Sequence, residues 1–407
     1  MSTKNDVIRV IKYPVRRARG LKSARFINKL ANTPSSRPVK VGFIVQMPQL
    51  WQKTSSVYEK MLVMEEFETT MIIVPKFDIS TYKCDTYGSE LDFFISHALG
   101  GKYIRAVNDG KCIDLSTLGL DYVFYQRMYN DFIPPELSST EVCHYTRVCY
   151  IPYSTTETSP STIYEDACLR DLYLGFLEDD ISAEKYSKKY KGRYHKRLVS
   201  EGYPEFEKCM KLDRSCSYKT ILWTPRWSYD SRSGGSHFFE YNDFLTEYGN
   251  MPHKLIVRPH PLMWDNFIKE GRITPEEAEN LKAKWQEKGI VTDSNVEIED
   301  TFDQADIMIS DRSSVIPMFF LTGKPVIYCA FDSGRYSDLY NIILPGIYRV
   351  YDQEQLEKTL DQLLSGEDPL REKRLEIIDK HFKTSENATE RIVRCILDDC
   401  SRRGYTS

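Results

Sequence analysis

The sequence predicts an α/β protein made of two parallel-sheet lobes and a terminal helix. Three observations lead there. Short, continuous apolar runs recur, as in strands buried on both faces. Stretches with helical spacing separate these runs, so consecutive strands are joined by crossovers rather than hairpins. The alternation then starts afresh past the middle of the chain, as a second domain would.

Taken in order, "PSSRP" (34–38) reads as a linker that closes a basic N-terminal segment, 1–38. "KVGFIVQ" (40–46) is a first buried strand, and "WQKTSSVYEKMLVMEEF" (51–67) carries Val57, Met61, Leu62 and Met64 at helical spacing. "TTMIIVP" (69–75), "LDYVFYQ" (120–126) and "RVCYIPYS" (147–154) continue the strands of a first lobe, 39–212. The charged stretch 178–200 reads as an exposed helix, and "DRSCS" (213–217) as a domain boundary. A second lobe, 213–385, alternates "YKTILWTPRW" (218–227), "KLIVRPHPLM" (254–263), a helix over 274–288, "GIVTD" (289–293), "ADIMISDRSS" (305–314) and "KPVIYCAF" (324–331). In the last segment, 386–407, Ala388, Ile392, Val393, Ile396, Leu397 and Cys400 share one helical face. Two such lobes suggest a cleft enzyme.

The 407 residues are 41% hydrophobic and 13% aromatic, which is enough apolar material for two cores. A net charge of -4 argues against a dedicated nucleic-acid binder, which presents a basic domain. Ten scattered cysteines form no CxxC or Cys/His cluster with zinc spacing. Reduced thiols in a cytoplasmic protein, with no metal site, are therefore expected. No apolar run reaches the ~18 residues needed to span a bilayer, and the basic N-terminus lacks the apolar stretch of a signal peptide. Residues 8–30 contain many Lys and Arg and no acidic residue. They suit peripheral attraction to the anionic inner face of a membrane; a solvated basic tail is the alternative.

In open α/β sheets ligands bind beyond the carboxyl ends of strands. Three strand ends of the second lobe carry polar clusters: Thr224-Pro225-Arg226-Trp227, Arg258-Pro259-His260-Pro261 and Asp311-Arg312-Ser313-Ser314. The last would sit where a strand hands over to a helix N-terminus, whose unpaired N–H groups suit phosphate. Arg258 and His260 alternate past a strand and could face one space, where they would neutralise a leaving phosphate without a metal. A plainer reading makes Ser313, Ser314 or Asp311 helix caps and Trp227 a core or rim residue. His260, fixed between two prolines after a buried strand, is poor core filling. His144, His237, His253 and His381 show no partner pattern.

These residues resemble, in serial order, the CDP-glycerol glycerophosphotransferase family, the teichoic-acid polymerases and their relatives in capsule synthesis. "EGYPEFE" (201–207), "ILWTPRW" (221–227), "VRPH" (257–260), "ISDRSSV" (309–315) and "NATERI" (387–392) are similar to its motifs. The run from "VFYQRMYNDF" to "YIPYS" looks like the first lobe of a capsule-associated branch. The resemblance implies a GT-B fold, two Rossmann-like lobes facing a cleft, with the last helix crossing back to the first lobe. It implies a CDP-linked donor as substrate, no other cofactor, and transfer of glycerol phosphate or a similar polyol phosphate to a hydroxyl of a glycan or polymer, lipid-linked acceptors included. It carries His260, Arg258, Ser313 and Ser314 onto the donor's phosphates, with Asp311, Arg312, Arg226, Thr224 and Trp227 around the nucleotide.

Two departures stand out. The family's His-Gly-Thr-Pro-Leu-Lys loop, whose histidine is the favoured base, corresponds to "YIPYSTTETS" (150–159), which has no histidine. Arg312 stands where the family has tyrosine, and a family aspartate is replaced near Met318. His144 is the remaining candidate base in the first lobe. A GT-B glycosyltransferase using a CMP- or NDP-sugar, and a non-catalytic member of a capsule complex, are the competing readings. A non-hydrolysing epimerase would share the fold, but no acidic base for it is legible.

Overall fold

A computed structural model describes residues 21–127, 129–153, 170–179, 183–184, 197–229, 235–249, 252–295, 297–331 and 336–406. The chain divides into two compact units. The first combines 1–155 and 159–204 with 387–407, and the second is essentially 205–386.

The first unit is built on a seven-stranded sheet. Its strands are β1 (Val39–Val45), β2 (Phe67–Ile73), β3 (Lys102–Arg105), β4 (Tyr122–Tyr125), β5 (Arg147–Tyr150), β6 (Leu174–Phe176) and β7 (Arg197–Val199). They lie in the order β7-β6-β5-β4-β1-β2-β3, and every pairing is parallel. The central strand VKVGFIV is buried along nearly its whole length, as a strand covered on both faces must be. Gly42 is required there: a Cβ would sit 2.7 Å from Leu120 Cδ1 and 2.9 Å from Ile72 Cδ1.

A helix over 21–31 packs on this unit through Ser23, Ile27 and Leu30, at the i, i+4, i+7 spacing of a buried face. The buried Arg147 guanidinium holds its end, donating to the carbonyls of Leu30 (2.8 Å) and Thr33 and lying 3.7 Å from the Asp121 carboxylate. The apolar face of this stretch therefore covers protein. Residues 8–20 of the basic segment lie outside the described residues, and among those described no helix is long and apolar enough to cross a membrane.

The terminal helix, Ala388–Arg403, belongs to the first unit and packs on the helix Ser55–Leu62. Ile392, Val393, Ile396 and Cys400 are buried, and the Thr389 hydroxyl donates to Ser56 Oγ at 2.8 Å. A polar cluster anchors its far end. Tyr122 donates to the Asp399 carboxylate at 2.7 Å and accepts from Arg403 at 2.6 Å, while Arg403 also pairs with Asp399 and donates to the Tyr173 hydroxyl.

The second unit holds β8 (Thr220–Thr224), β9 (Lys254–Val257), β10 (Val291–Thr292), β11 (Ile307–Ser310), β12 (Val326–Cys329) and β13 (Tyr348–Val350). They form one parallel sheet in the order β10-β9-β8-β11-β12-β13. Numbered from its own first strand, that is 3-2-1-4-5-6, the doubly wound nucleotide-binding order. The first six strands of the other unit repeat it. Trp223 of β8 stacks on Phe238 with centroids 5.4 Å apart, and the Trp285 indole N–H donates to Asn242 at 3.0 Å. The helix Pro275–Glu287 starts at a capping box formed by Thr274 and Glu277.

The structure departs from the sequence reading in a few places. Residues 197–199, expected within an exposed helix, form an edge strand instead; most of 178–200 lies outside the described residues. Lys102–Arg105, Leu174–Phe176 and Tyr348–Val350 are strands that the apolar pattern did not reveal. The first is a largely exposed edge, and the other two have only three residues each. The helix expected over 51–67 is a 3-10 turn, Pro48–Lys53, followed by Ser55–Leu62.

Replacing one partner of a buried ion pair leaves the other charge unpaired, at a cost of about 3–5 kcal/mol. Asp399→Ala is accordingly expected to lower the unfolding free energy of the first unit by about 3–5 kcal/mol in urea denaturation, with the transition of the second unit unmoved.

Candidate functional site

The three polar turns leave the carboxyl ends of β9, β8 and β11, which are neighbours in the sheet. β8 and β11 are strands one and four of their unit, so the turns after them flank the point where the strand order reverses. That is where doubly wound sheets bind nucleotides.

Asp311 ties these turns together. It is 2% exposed, and its carboxylate accepts from the Arg226 N–H (2.8 Å), the His237 N–H (3.2 Å) and the Ser236 hydroxyl (2.6 Å). Burial pushes its carboxyl above the usual carboxylate range, against the pull of these three donors. It does not cap the helix Val315–Phe320 as the plainer sequence reading had it. Its bonds go instead to both ends of the connection between β8 and the helix Phe238–Thr246. Arg226 adds a second tie, donating from Nη1 to the Arg312 carbonyl at 2.6 Å, and the His260 N–H donates to the Pro225 carbonyl at 3.1 Å.

His260 lies beside Trp227, with ring centroids 6.2 Å apart. Its Nδ1 accepts the Leu262 N–H at 3.1 Å. In the neutral ring the proton therefore sits on Nε2, which has no hydrogen-bond partner among the described residues. Burial, and then the positive charge of Arg226, lower the His260 pKa to about 4. The ring is thus a neutral donor at pH 7. The Arg226 guanidinium lies 5.5 Å from the Trp227 ring centroid.

Arg312, which stands where a tyrosine was expected, lies over two stacked tyrosines, 5.5 Å from the Tyr336 centroid and 5.9 Å from that of Tyr340. Tyr340 also fixes the next residue: its hydroxyl donates to the Ser313 carbonyl at 2.9 Å and accepts the Ser313 N–H at 3.3 Å. Ser313 Oγ accepts only a long bond from the Val315 N–H, 3.4 Å. Ser314 enters the helix in αR conformation without capping it. Both serines are half-buried, so their hydroxyls remain accessible.

Arg226, Trp227, His260, Arg312, Ser313 and Ser314 therefore share one strand edge. Three expected residues stand apart. Thr224 is buried, with its hydroxyl 3.5 Å from the Ile309 carbonyl. Arg258 turns toward β10, pairing with Asp293 and donating to the Asn295 carbonyl at 2.7 Å, so it braces the turn that carries His260. His144 belongs to the first unit. Its ring packs against that of Phe26 at a tilt, centroids 4.3 Å apart, its Nδ1 lies 3.6 Å from Glu141, and burial lowers its pKa. It lines a cavity of about 370 Å³ with Lys22, Asn130, Ile133 and Thr140.

Sequence reasoning missed the loop 235–237. Gly235 has φ +57°, and a Cβ there would meet Phe331 at 2.5 Å. His237 then stacks on Phe331 at 4.0 Å, bonding Glu240 through Nδ1 (2.6 Å) and the Ala330 carbonyl through Nε2 (3.2 Å). The signal was a Gly-Ser-His run in the first strand-to-helix connection of a lobe, where such folds place their glycines. Among the described residues no group of three His, Cys, Asp or Glu side chains could hold a metal ion.

Because hydrogen bonds to a charged group contribute about 1.5–3 kcal/mol each and overlap in effect, Asp311→Ala is expected to destabilise the second unit by about 3 kcal/mol in urea denaturation. A loss below about 1 kcal/mol would show that Asp311 does not hold the turns.

Residues 200–398 match the family described as CDP-Glycerol:Poly(glycerophosphate) glycerophosphotransferase. No curated protein matches the chain in sequence. Among solved structures, the wall teichoic acid polymerase TagF aligns with a TM-score of 0.56 at 14% identity, covering 98% of either chain. The UDP-GlcNAc 2-epimerase from Neisseria meningitidis, bound to UDP-GlcNAc, aligns with a TM-score of 0.59 at 11% identity, covering 88% of this chain and 100% of its own. The corresponding epimerase from Methanocaldococcus jannaschii gives 0.57 at 12% identity, over 88% and 100%. At such identities these are likenesses of fold, and the fold is GT-B-like. The family match covers every residue placed at this strand edge. The stretch that holds this site, just under half of the chain, thus matches the CDP-glycerol:poly(glycerophosphate) glycerophosphotransferase family, a family of transferases.

Proposed function

We propose that the protein transfers glycerol phosphate, or a related polyol phosphate, from a CDP-activated donor to a hydroxyl of a cell-surface glycan or teichoic-acid-like polymer, releasing CMP. The observation that carries this reading is the gathering of Arg226, His260, Arg312 and the Ser313-Ser314 turn at the switch point of the sheet that matches the family. The acceptor hydroxyl oxygen attacks the donor's β-phosphorus, and its proton passes to solvent. The bond from that phosphorus to the bridging oxygen breaks, and CMP leaves with the added negative charge. Phosphoryl transfer depends mainly on positioning and charge stabilisation, and this strand edge offers both.

In this reading the Nε2–H of His260 donates a hydrogen bond to the departing CMP phosphate as charge develops on it. Arg226 supplies fixed positive charge beside it. The Ser313 and Ser314 hydroxyls hold the phosphate between, and Trp227 offers a face for the cytosine or ribose. Asp311 and Arg258 position these groups rather than touch the donor. The acceptor, lipid-linked in this proposal, would be met at the cytoplasmic face of the membrane.

The full chain is expected to release CMP from CDP-glycerol or CDP-ribitol, and to leave CMP-sialate, CMP-Kdo and UDP-sugars unconsumed. Turnover of a sugar nucleotide alone would make it a glycosyltransferase, and intact folding without turnover a binding protein. His260→Asn is expected to lower kcat by about a hundredfold or more at an unchanged melting temperature.

The low pKa of His260 gives a second test. The free ring is neutral above about pH 4, whereas phosphates of a bound donor favour its charged form and raise its pKa. Binding then takes up a proton. Affinity for CDP-glycerol, whose phosphate diesters stay ionised, should therefore strengthen as pH falls from 8 toward 5. Titration calorimetry in buffers of different ionisation enthalpy reads this uptake directly, and His260→Asn should abolish it.

A further inference from the structure

The first unit has a switch point of its own, between β1 and β4. Two glutamines lock it. Gln126 Oε1 accepts the N–H groups of Gln46 (2.9 Å) and Met47 (2.8 Å), and its Nε2 donates to the Met47 carbonyl at 2.7 Å. Gln46 Nε2 in turn donates to the carbonyls of Pro75 (2.8 Å) and Phe132 (3.0 Å), which lie past β2 and β4. Into this frame β4 delivers Arg127, two residues beyond its end.

Arg127 is unlike the arginines that hold the fold together. Arg147 sits on Asp121, Arg170 on Asp171, Arg258 on Asp293, Arg374 on Asp368 and Arg403 on Asp399. Arg127 has no carboxylate partner among the described residues. Its one hydrogen bond there runs from Nη2 to Gln46 Oε1 at 2.5 Å, and its buried Nε has none. The guanidinium lies over the Phe132 ring, 4.3 Å from the centroid, which fixes its plane. A half-buried guanidinium with most of its five donors uncommitted, and with no counter-charge among the described residues, calls for an anion. The hydroxyls of Tyr129 and Tyr153 lie 3.0 Å apart, close enough to act on the charge of Arg127. Tyr153 follows β5, so the cluster draws on four adjacent strand ends.

We propose that this cluster is a phosphate subsite for the acceptor: Arg127, with the hydroxyls of Tyr129 and Tyr153, binds a phosphate ester of a polyol-phosphate chain. The planar guanidinium engages two phosphate oxygens at once, and the phenols hydrogen-bond a third oxygen or a neighbouring polyol hydroxyl. The subsite gives the enzyme a preference for acceptors that already carry phosphate. This inference rests on the transferase reading above for the name of its ligand, but not for the existence of the anion site.

The test therefore has two arms. In the first, sn-glycerol 3-phosphate is titrated into the full chain by calorimetry. Saturable binding is expected, weakened about tenfold or more in Arg127→Gln and partly restored in Arg127→Lys, while plain glycerol fails to compete. In the second, steady-state transfer from CDP-glycerol is followed with an oligo(glycerol phosphate) acceptor. Arg127→Gln should raise the KM for this acceptor about tenfold, leaving the Kd for CDP-glycerol and the melting temperature unchanged. Wild-type affinity for glycerol 3-phosphate in Arg127→Gln overturns the subsite, whatever the donor proves to be. Absence of CDP-glycerol turnover with phosphate binding intact overturns the transferase reading alone.

Discussion

The candidate donor site depends on a single buried carboxylate. Asp311 stands at the end of β11 and accepts hydrogen bonds from both ends of the connection that runs from β8 to the helix Phe238–Thr246. A buried charge without partners would be very costly, so both ends must close on it. Once they close, Arg226 is held beside His260, and Arg312 is turned outward onto Tyr336 and Tyr340. The residues available to meet substrate are thus arranged by one that does not reach it. The same division of labour recurs in the neighbouring turn, where Arg258 is consumed by Asp293 and leaves the ring of His260 exposed to the site.

Much of this was legible before any coordinates. The long apolar runs at β1, β2, β8, β9 and β11 read correctly because strands buried on both faces need no particular register to be recognised. The polar turns after β8, β9 and β11 could be named because Pro and His do not fill cores. What stayed hidden was of two kinds. Short or exposed strands such as Lys102–Arg105 and Tyr348–Val350 have too few apolar residues to show a period, and are made strands by their neighbours. Directions of side chains were also out of reach. Arg258 and His260 alternate in sequence, yet one turns to β10 and the other to Trp227, because Asp293 lies on only one side. Arg312 was opaque for a similar reason: its partners, Tyr336 and Tyr340, follow some 24 residues later in the chain.

The two units share a strand order but treat their switch points differently. In the second, a buried acid gathers basic and hydroxyl groups after β8 and β11. In the first, neutral glutamine amides perform the gathering, and a single arginine stands among aromatic rings. An amide can bind loops together without adding charge, so the net charge of that edge is left to Arg127. The contrast between an ionic and a neutral brace is a chemical difference within one topology.

The terminal helix has a consequence for how the protein is made. Ala388–Arg403 supplies the surface on which Ser55–Leu62 packs, and the anchor for Tyr122 and Tyr173. During synthesis the first unit begins to emerge first, yet it lacks that cover until residues 388–403 have left the ribosome. The second unit is contiguous and can complete itself earlier. Order of maturation is thus the reverse of order of appearance. A nascent chain waits with one face of Ser55–Leu62 uncovered, a surface that invites chaperone binding in the interval.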